Sequence, residues 1–174
     1  MTHRPLRLAA GSLALGGLAS LGVAAWPTWS QAAGDPPTEE ANRQVVASAF
    51  ERWAGGRGDF FETVLSPDVV WTIEGSGPSA GTFAGRARFV DQAVRPFTAR
   101  LSAPVRPVSY RVWADGDHVI VNWVGEAVAR DGGRYRNTYA WILRLRGGKA
   151  VEVNAFLDLP AYDEVLRRVS PPPE

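Results

Sequence analysis

HVIVNWVGEAVARDGGRYRNTYAWILRLRGGKAVEVNAFLD, residues 118–158, decides the fold of this chain. It contains three runs rich in β-branched and aromatic residues, His118–Arg130, Arg134–Arg146 and a third from Lys149 that continues to Leu159. Such runs read as strands. Glycine turns join them, Asp131-Gly132-Gly133 and Gly147-Gly148. A three-residue loop over 131–133 pairs Ala129 with Tyr135, Trp123 with Trp141 and Gly125 with Tyr139. That register collects Val119, Val121, Trp123, Asn137, Tyr139, Trp141 and Leu143 on one face and sends Glu126, Arg136, Thr138 and Arg144 to the other. A slip of one residue would mix tryptophan with arginine, so burial selects this pairing. A two-residue loop at Gly147-Gly148 sets Arg146 against Lys149, then Trp141 against Asn154, Tyr139 against Phe156 and Asn137 against Asp158. A second arrangement of the last strand turns Val151, Val153, Ala155 and Leu157 inward instead.

The segments before this stretch have a different character. Thr38 caps a helix with Glu39 and Glu40 in its first turn and Val45, Val46, Phe50 and Trp53 along a stripe, and Gly55-Gly56 stops it. A shorter helix is predicted from Asp59 to Pro67, a strand over 69–74, a loop over 75–85, and a third helix over 86–94 interrupted near Pro96. A further strand covers 104–114 and turns at Asp115-Gly116-Asp117, and Pro160 opens a last helix to Arg168. Helices followed by an antiparallel meander make an α+β domain and not an alternating α/β one.

The totals restrict function. At 174 residues the chain has room for one core beyond its N-terminal segment. Arg4 and Arg7 are the only charges in the first 32 residues, and the remainder carries 17 basic against 18 acidic side chains, which gives nucleic acid no electrostatic reason to bind. Cysteine is absent and only His3 and His118 supply imidazoles. Thiolate chemistry is excluded, no metal centre or other cofactor is expected, and acid–base work falls to carboxylates.

The start of the chain reads as an export signal. Residues 2–7 are basic, 8–26 are uncharged and rich in Ala, Gly and Leu, and Ser30-Gln31-Ala32 ends in the small residue that cleavage requires. Cleavage after Ala32 predicts a periplasmic or secreted protein with a signal peptide over 1–32, a linker over 33–37, a domain over 38–168 and a disordered tail over 169–174. An uncleaved leader would instead anchor the chain in a membrane.

Gly55–Asp59 after the first helix, the Asp68–Glu74 strand, Ala80-Gly81-Thr82-Phe83-Ala84-Gly85-Arg86, and Gly148–Asp158 together resemble the SnoaL-like branch of the nuclear transport factor 2-like superfamily. The resemblance spans residues 39–168. It implies an α+β cone in which a curved antiparallel sheet wraps around three N-terminal helices to leave an internal pocket, often in a homodimer packed through the sheet. It also implies a small hydrophobic or aromatic ligand and, in the enzymes of the group, cofactor-free cyclisation or isomerisation; other members bind without catalysing. Phe50 stands where the isomerases carry a tyrosine, and Trp141 stands near their proton-donating aspartate.

The residues then divide by role. Trp71, Trp123, Asn137, Tyr139, Trp141, Asn154 and Phe156 are expected to line the pocket, as rings that stack on a planar ligand or as plain core. Asp158 is either a general base beside Phe156 and Leu157 or the cap of the last helix, and Glu74 is either an acid–base partner or a solvated strand-end carboxylate. Asn137 or Tyr139 would hold a developing oxyanion. His118, next to its turn, is expected to be exposed.

Overall fold

A computed structural model describes residues 36–173. The expected signal peptide and residues 33–35 of the linker lie outside them. The order is α1 (Pro36–Ala54), α2 (Phe60–Val64), β1 (Leu65–Ile73), β2 (Gly81–Ala84), α3 (Arg86–Phe89), a π-helical segment (Val90–Val94), α4 (Arg95–Thr98), β3 (Leu101–Asp115), β4 (His118–Ala129), β5 (Arg134–Arg146), β6 (Lys149–Leu157) and α5 (Leu159–Arg168). This is the α+β plan predicted from the sequence. The six strands form one sheet in the order β2-β1-β6-β5-β4-β3, and its inner face packs against the helices. All neighbours run antiparallel except β1 and β6, which are parallel.

Local chemistry explains the elements and their departures from expectation. α1 begins at Pro36, two residues before the expected cap. Asp59 caps α2, accepting from the amides of Phe61 and Glu62 at 2.9 and 3.2 Å, and β1 starts at Leu65, so Pro67 lies in a strand instead of ending a helix. Gly81–Ala84, read as loop, pairs with β1 as an edge strand. The third helix does not break near Pro96. Proline has no N–H to return, and a π turn, in which Arg95 N–H reaches Val90 O, carries the chain past it.

The β4–β5 hairpin has a three-residue loop, but it sits one residue earlier than predicted. Ala129 N–H bonds Gly133 O at 2.8 Å and Gly132 N–H bonds Ala129 O at 2.9 Å, which leaves Arg130, Asp131 and Gly132 in the turn. Gly132 takes a φ of 83°, the left-handed conformation such a loop needs. Moving a loop by one residue moves every cross-strand partner by two. Trp123 therefore faces Tyr139, Val121 faces Trp141 and Gly125 faces Asn137. A shift of two leaves the faces unchanged, and the predicted inner set, Val119, Val121, Trp123, Asn137, Tyr139, Trp141 and Leu143, is buried.

β6 departs by one residue, which matters more. Arg146 faces Lys149 as predicted and Leu145 faces Ala150, but Arg144 then faces Glu152, so Val151 is an extra residue in the ladder. Such a bulge reverses the side-chain faces beyond it. Val153 and Ala155 point inward and are 0% and 2% exposed, whereas Asn154 pairs with Ile142 and Phe156 with Ala140 on the outer face. The second arrangement of the last strand holds for Val153 and Ala155, and Leu157 packs against the same core.

The main core fills the space between the inner face and α1, α2 and α3. A smaller cluster of Phe97, Leu101, Ala127, Ala129, Tyr135, Val165 and Val169 lies under α5. Val169 is 5% exposed, so the ordered packing runs one residue past the expected domain end.

Candidate functional site

Inside the cone lies a cavity of about 110 Å³. β1 contributes Trp71, β4 contributes Trp123, and β5 contributes Tyr139 and Trp141; β6 adds Ala155 and Leu157. Trp53 of α1, Phe61 of α2, Phe89, Phe97 and Tyr162 of α5 close the helical side. The wall holds no carboxylate, imidazole, ammonium or guanidinium. Its rings pack on one another: Trp123 stacks on Tyr139 at 3.9 Å and 10°, and Trp71 on Phe89 at 4.1 Å and 14°. Trp141 stands edge-on to both tryptophans, at 5.0 Å from Trp71 and 4.9 Å from Trp123. Gly125 permits this layer, because a Cβ there would meet Trp123 at 2.7 Å, Val105 at 3.0 Å and Tyr139 at 3.1 Å.

The polar atoms around the cavity are few. Trp53 Nε1–H donates to Val105 O at 3.0 Å. The Nε1–H groups of Trp71 and Trp123 are buried and have no acceptor. Tyr139 belongs to a buried relay. Asn137 Nδ2 donates to Tyr135 Oη and to Asp158 O, both at 2.9 Å, and Tyr135 Oη and Tyr139 Oη are 2.6 Å apart. The amide orientation follows from Asp158 N–H, which donates to Asn137 Oδ1 at 2.9 Å. Both amide hydrogens are thus committed, and one phenolic hydrogen of the tyrosine pair is left over. Burial pushes the Tyr135 phenol up to about 12 and the Tyr139 phenol well above its ordinary value, so at neutral pH both are hydrogen donors and not bases.

The expected site residues separate into two groups. Trp71, Trp123, Tyr139 and Trp141 line the cavity, and Asn137, 3% exposed, supports it through the relay. Asn154 and Phe156 do not line it, because the bulge turns them outward, and Phe156 is 46% exposed. Asn137 and Asp158 do meet, but through Asp158's backbone. The Asp158 carboxylate caps α5, accepting from Ala161 N–H at 3.3 Å. Glu74 follows the last residue of β1, half-buried, and its own N–H bonds Ala155 O at 2.9 Å. Neither carboxylate lines the cavity. His118 is exposed beside Asp117, 2.6 Å from its carboxylate.

Sequence reasoning missed the helical half of the wall. Phe89, Ala93 and Phe97 recur every four residues along the stretch that contains the π turn, a signal that the proline had obscured. Tyr162 Oη donates to Ala93 O at 2.9 Å and its ring stacks on Phe97 at 4.2 Å and 12°. Ala93 and Tyr162 also border a second, outer cleft of about 820 Å³, where Arg88, Gln92, Asp163 and Arg167 face solvent-accessible space. These two residues therefore stand between the cavity and the cleft.

A cone of sheet and helices around an apolar, aromatic cavity defines a small-molecule-binding α+β domain. The chain belongs to the SnoaL-like domain family, whose model matches residues 46–153. No curated protein matches it. Among solved structures it is similar to Bal32a from a soil-derived mobile gene cassette, with 21% identity over 75% of this chain and 99% of that one and a TM-score of 0.62. It is also similar to TerC co-crystallized with polyporic acid, with 20% identity over 73% and 98% and a TM-score of 0.59. A third similar structure is a putative SnoaL-like polyketide cyclase from Jannaschia sp. CCS1, with 18% identity over 80% and 98% and a TM-score of 0.59. At these identities the likeness concerns the fold.

Proposed function

We propose that this chain is an exported binding protein whose cavity holds a small hydrophobic or aromatic molecule without acting on it by acid–base chemistry. One observation carries the reading: the cavity is walled by rings, aliphatic side chains and Thr98, whose hydroxyl donates to Arg95 O, with no carboxylate, imidazole or amine among them. A cofactor-free cyclase or isomerase needs a base within hydrogen-bond reach of the proton it removes. Asp158 is engaged at the start of α5 and Glu74 stands at the end of β1, outside the wall. The similar structure co-crystallized with polyporic acid supports a small-molecule role for this architecture.

Two further parts of the reading rest on other features. The basic, apolar and small-residue sequence of residues 2–32 supports export. On the outer face of the sheet Trp113 and Phe156 are 48% and 46% exposed, and Val70 is 40% exposed, which supports a homodimer packed through that face. Sedimentation velocity of the wild type against a W113D/F156D variant tests it, the expected result being a dimer that dissociates.

The central test begins with native mass spectrometry of protein recovered from the exported fraction, which identifies the compound that co-purifies. That compound should then bind D158N/E74Q protein with unchanged affinity and emerge from the wild type chemically unaltered. Conversion by the wild type that is lost in the double variant establishes the carboxylate enzyme instead.

A further inference from the structure

We infer that the Tyr162 side chain is a door between the inner cavity and the outer cleft, and that the chain binds its ligand in the form in which this ring has left Ala93 and the two spaces are joined. The inference rests on the proposed binding role and names how that cavity is reached. Its starting point is volume. The inner space, about 110 Å³, is smaller than the apolar cavity of about 150 Å³ that holds benzene. A hydrophobic molecule of ordinary ligand size therefore has no room behind the wall as it stands. The outer cleft, about 820 Å³, lies within the range of about 300–1,000 Å³ that ligand sites occupy.

Ala93 and Tyr162 are the two residues that line both spaces. Ala93 has only a methyl group to move and lies within a helical run, so the movable half of the partition is the Tyr162 ring. Little holds that ring. Its Oη–H donates to Ala93 O at 2.9 Å, the one hydrogen bond of this phenol among the described residues, and the ring stacks on Phe97 at 4.2 Å and 12°. The sheet side of the wall is different: Trp71, Trp123, Tyr139 and Trp141 are held ring against ring and buried, whereas Tyr162 is half-buried with the open space of the cleft beside it. The acceptor of its hydrogen bond belongs to the π-helical segment Val90–Val94, a backbone departure that recurs at functional sites.

Swinging the ring into the cleft breaks one hydrogen bond and one ring pair, and water in the cleft takes over the freed phenol. An open form of that cost is a minor conformer that a ligand with contacts on both sides of Ala93 can select. The rival entrance is Thr98, an exposed residue through which the cavity wall also reaches the surface. Its hydroxyl is turned back to Arg95 O at 3.2 Å, within its own helix, and ties it to no element across the cavity.

The chain has no cysteine, so one engineered thiol reports access without interference. Ala155→Cys places it on the inner wall at a position 2% exposed, where the cavity has room for the added sulfur, and Ser76→Cys supplies an exposed reference. Labelling of the full exported chain by methyl methanethiosulfonate, followed by mass spectrometry, should be about ten- to a hundredfold slower at 155 than at 76, as one hydrogen bond and one ring pair require. The rate at 155 should not change with urea up to about 1 M, because local opening exposes little surface and global unfolding exposes much. In the Ala155→Cys background, Tyr162→Phe keeps the ring and removes the bond to Ala93 O, and should raise the rate about three- to tenfold, with Thr98→Ala having the smaller effect. Labelling at 155 as fast as at 76, a rate that climbs steeply with urea, a rate unmoved by Tyr162→Phe, or an equal acceleration by Thr98→Ala each overturns the inference. Should Ala155→Cys fail to fold, Ile73→Cys, 7% exposed on the same wall, takes its place. No ligand enters these measurements, so they decide the door alone, and the binding role stands or falls on the co-purified compound.

Discussion

The inner and outer faces of the sheet are built by alternate residues of the same strands, yet their chemistry differs in kind. On the inner face Trp71, Trp123, Tyr139 and Trp141 form a continuous ring layer, and Asn137 is buried with all its hydrogen-bonding groups engaged. On the outer face Arg144 pairs with Glu152 at 2.8 Å, Arg136 pairs with Glu126, and Thr72 meets Thr82 at 3.1 Å, all partly open to water. A change on the inner face removes packed volume or strands a polar group, whereas a change on the outer face exchanges one hydrated arrangement for another. The contrast makes graded predictions.

The largest effect is expected from Trp141→Ala. Loss of a buried ring that contacts Phe50, Phe60, Trp71 and Trp123 should cost about 3–5 kcal/mol in urea unfolding. A cost below that of an outer-face change would show that the ring layer is not core.

Alkaline unfolding comes next. Tyr135 and Tyr139 have pKa values raised above their unfolded values, so their contribution is complete below pH of about 10 and is lost above it, that of Tyr135 as pH rises through about 12. The unfolded state then releases protons the folded state retains. For Tyr135 alone the loss is about 2–3 kcal/mol. In a Y110F background, which removes the half-buried tyrosine outside the relay, tyrosinate absorbance and near-ultraviolet dichroism should change together in one late step, and a tyrosine titration that precedes loss of the fold would contradict the relay.

Gly125→Ala should cost about 1–3 kcal/mol, because the added methyl meets ring atoms of Trp123 and Tyr139 that have no free direction to move. Asp158→Ala should cost about 1 kcal/mol as the loss of a helix cap, and chemical denaturation distinguishes that from a binding role. The smallest effect belongs to the outer face: a double-mutant cycle on Arg144 and Glu152, side chains 31% and 45% exposed, should give a coupling of about 0.2–1 kcal/mol.

The two late hairpins explain which parts of this plan were legible in the sequence. In β4 and β5 the buried apolar residues sit at alternate positions and the charged ones, Glu126, Arg136 and Arg144, at the others, so burial allowed an error in the loop to move the register only by an even number, and the inner set is unchanged by it. In β6 the pattern is ambiguous: Val151, Val153, Ala155 and Leu157 make one apolar series, while Asn154 and Phe156 offer a mixed one. A single bulge residue at Val151 selected between them. Nothing in Gly147-Gly148 announces that bulge, because the turn itself has the expected pairing. Asn137 was legible on the inner face opposite Asp158, but not that it meets the Asp158 backbone, since the main chain of a strand end competes for an amide as well as a side chain does.

Strand alternation, glycine turns, helix caps and the supply of aromatic residues are local properties, and from them the chain alone determined an α+β sheet-and-helix domain with a ring-rich inner face. The closing of the cavity was decided only in three dimensions. Residues 89–97 could be placed over the sheet only when a π turn carried the helix past Pro96, and Tyr162 completed the wall from a helix more than sixty residues away in sequence. Such contacts depend on how whole elements dock, and side-chain periodicity within one element carries no record of the surface it will meet.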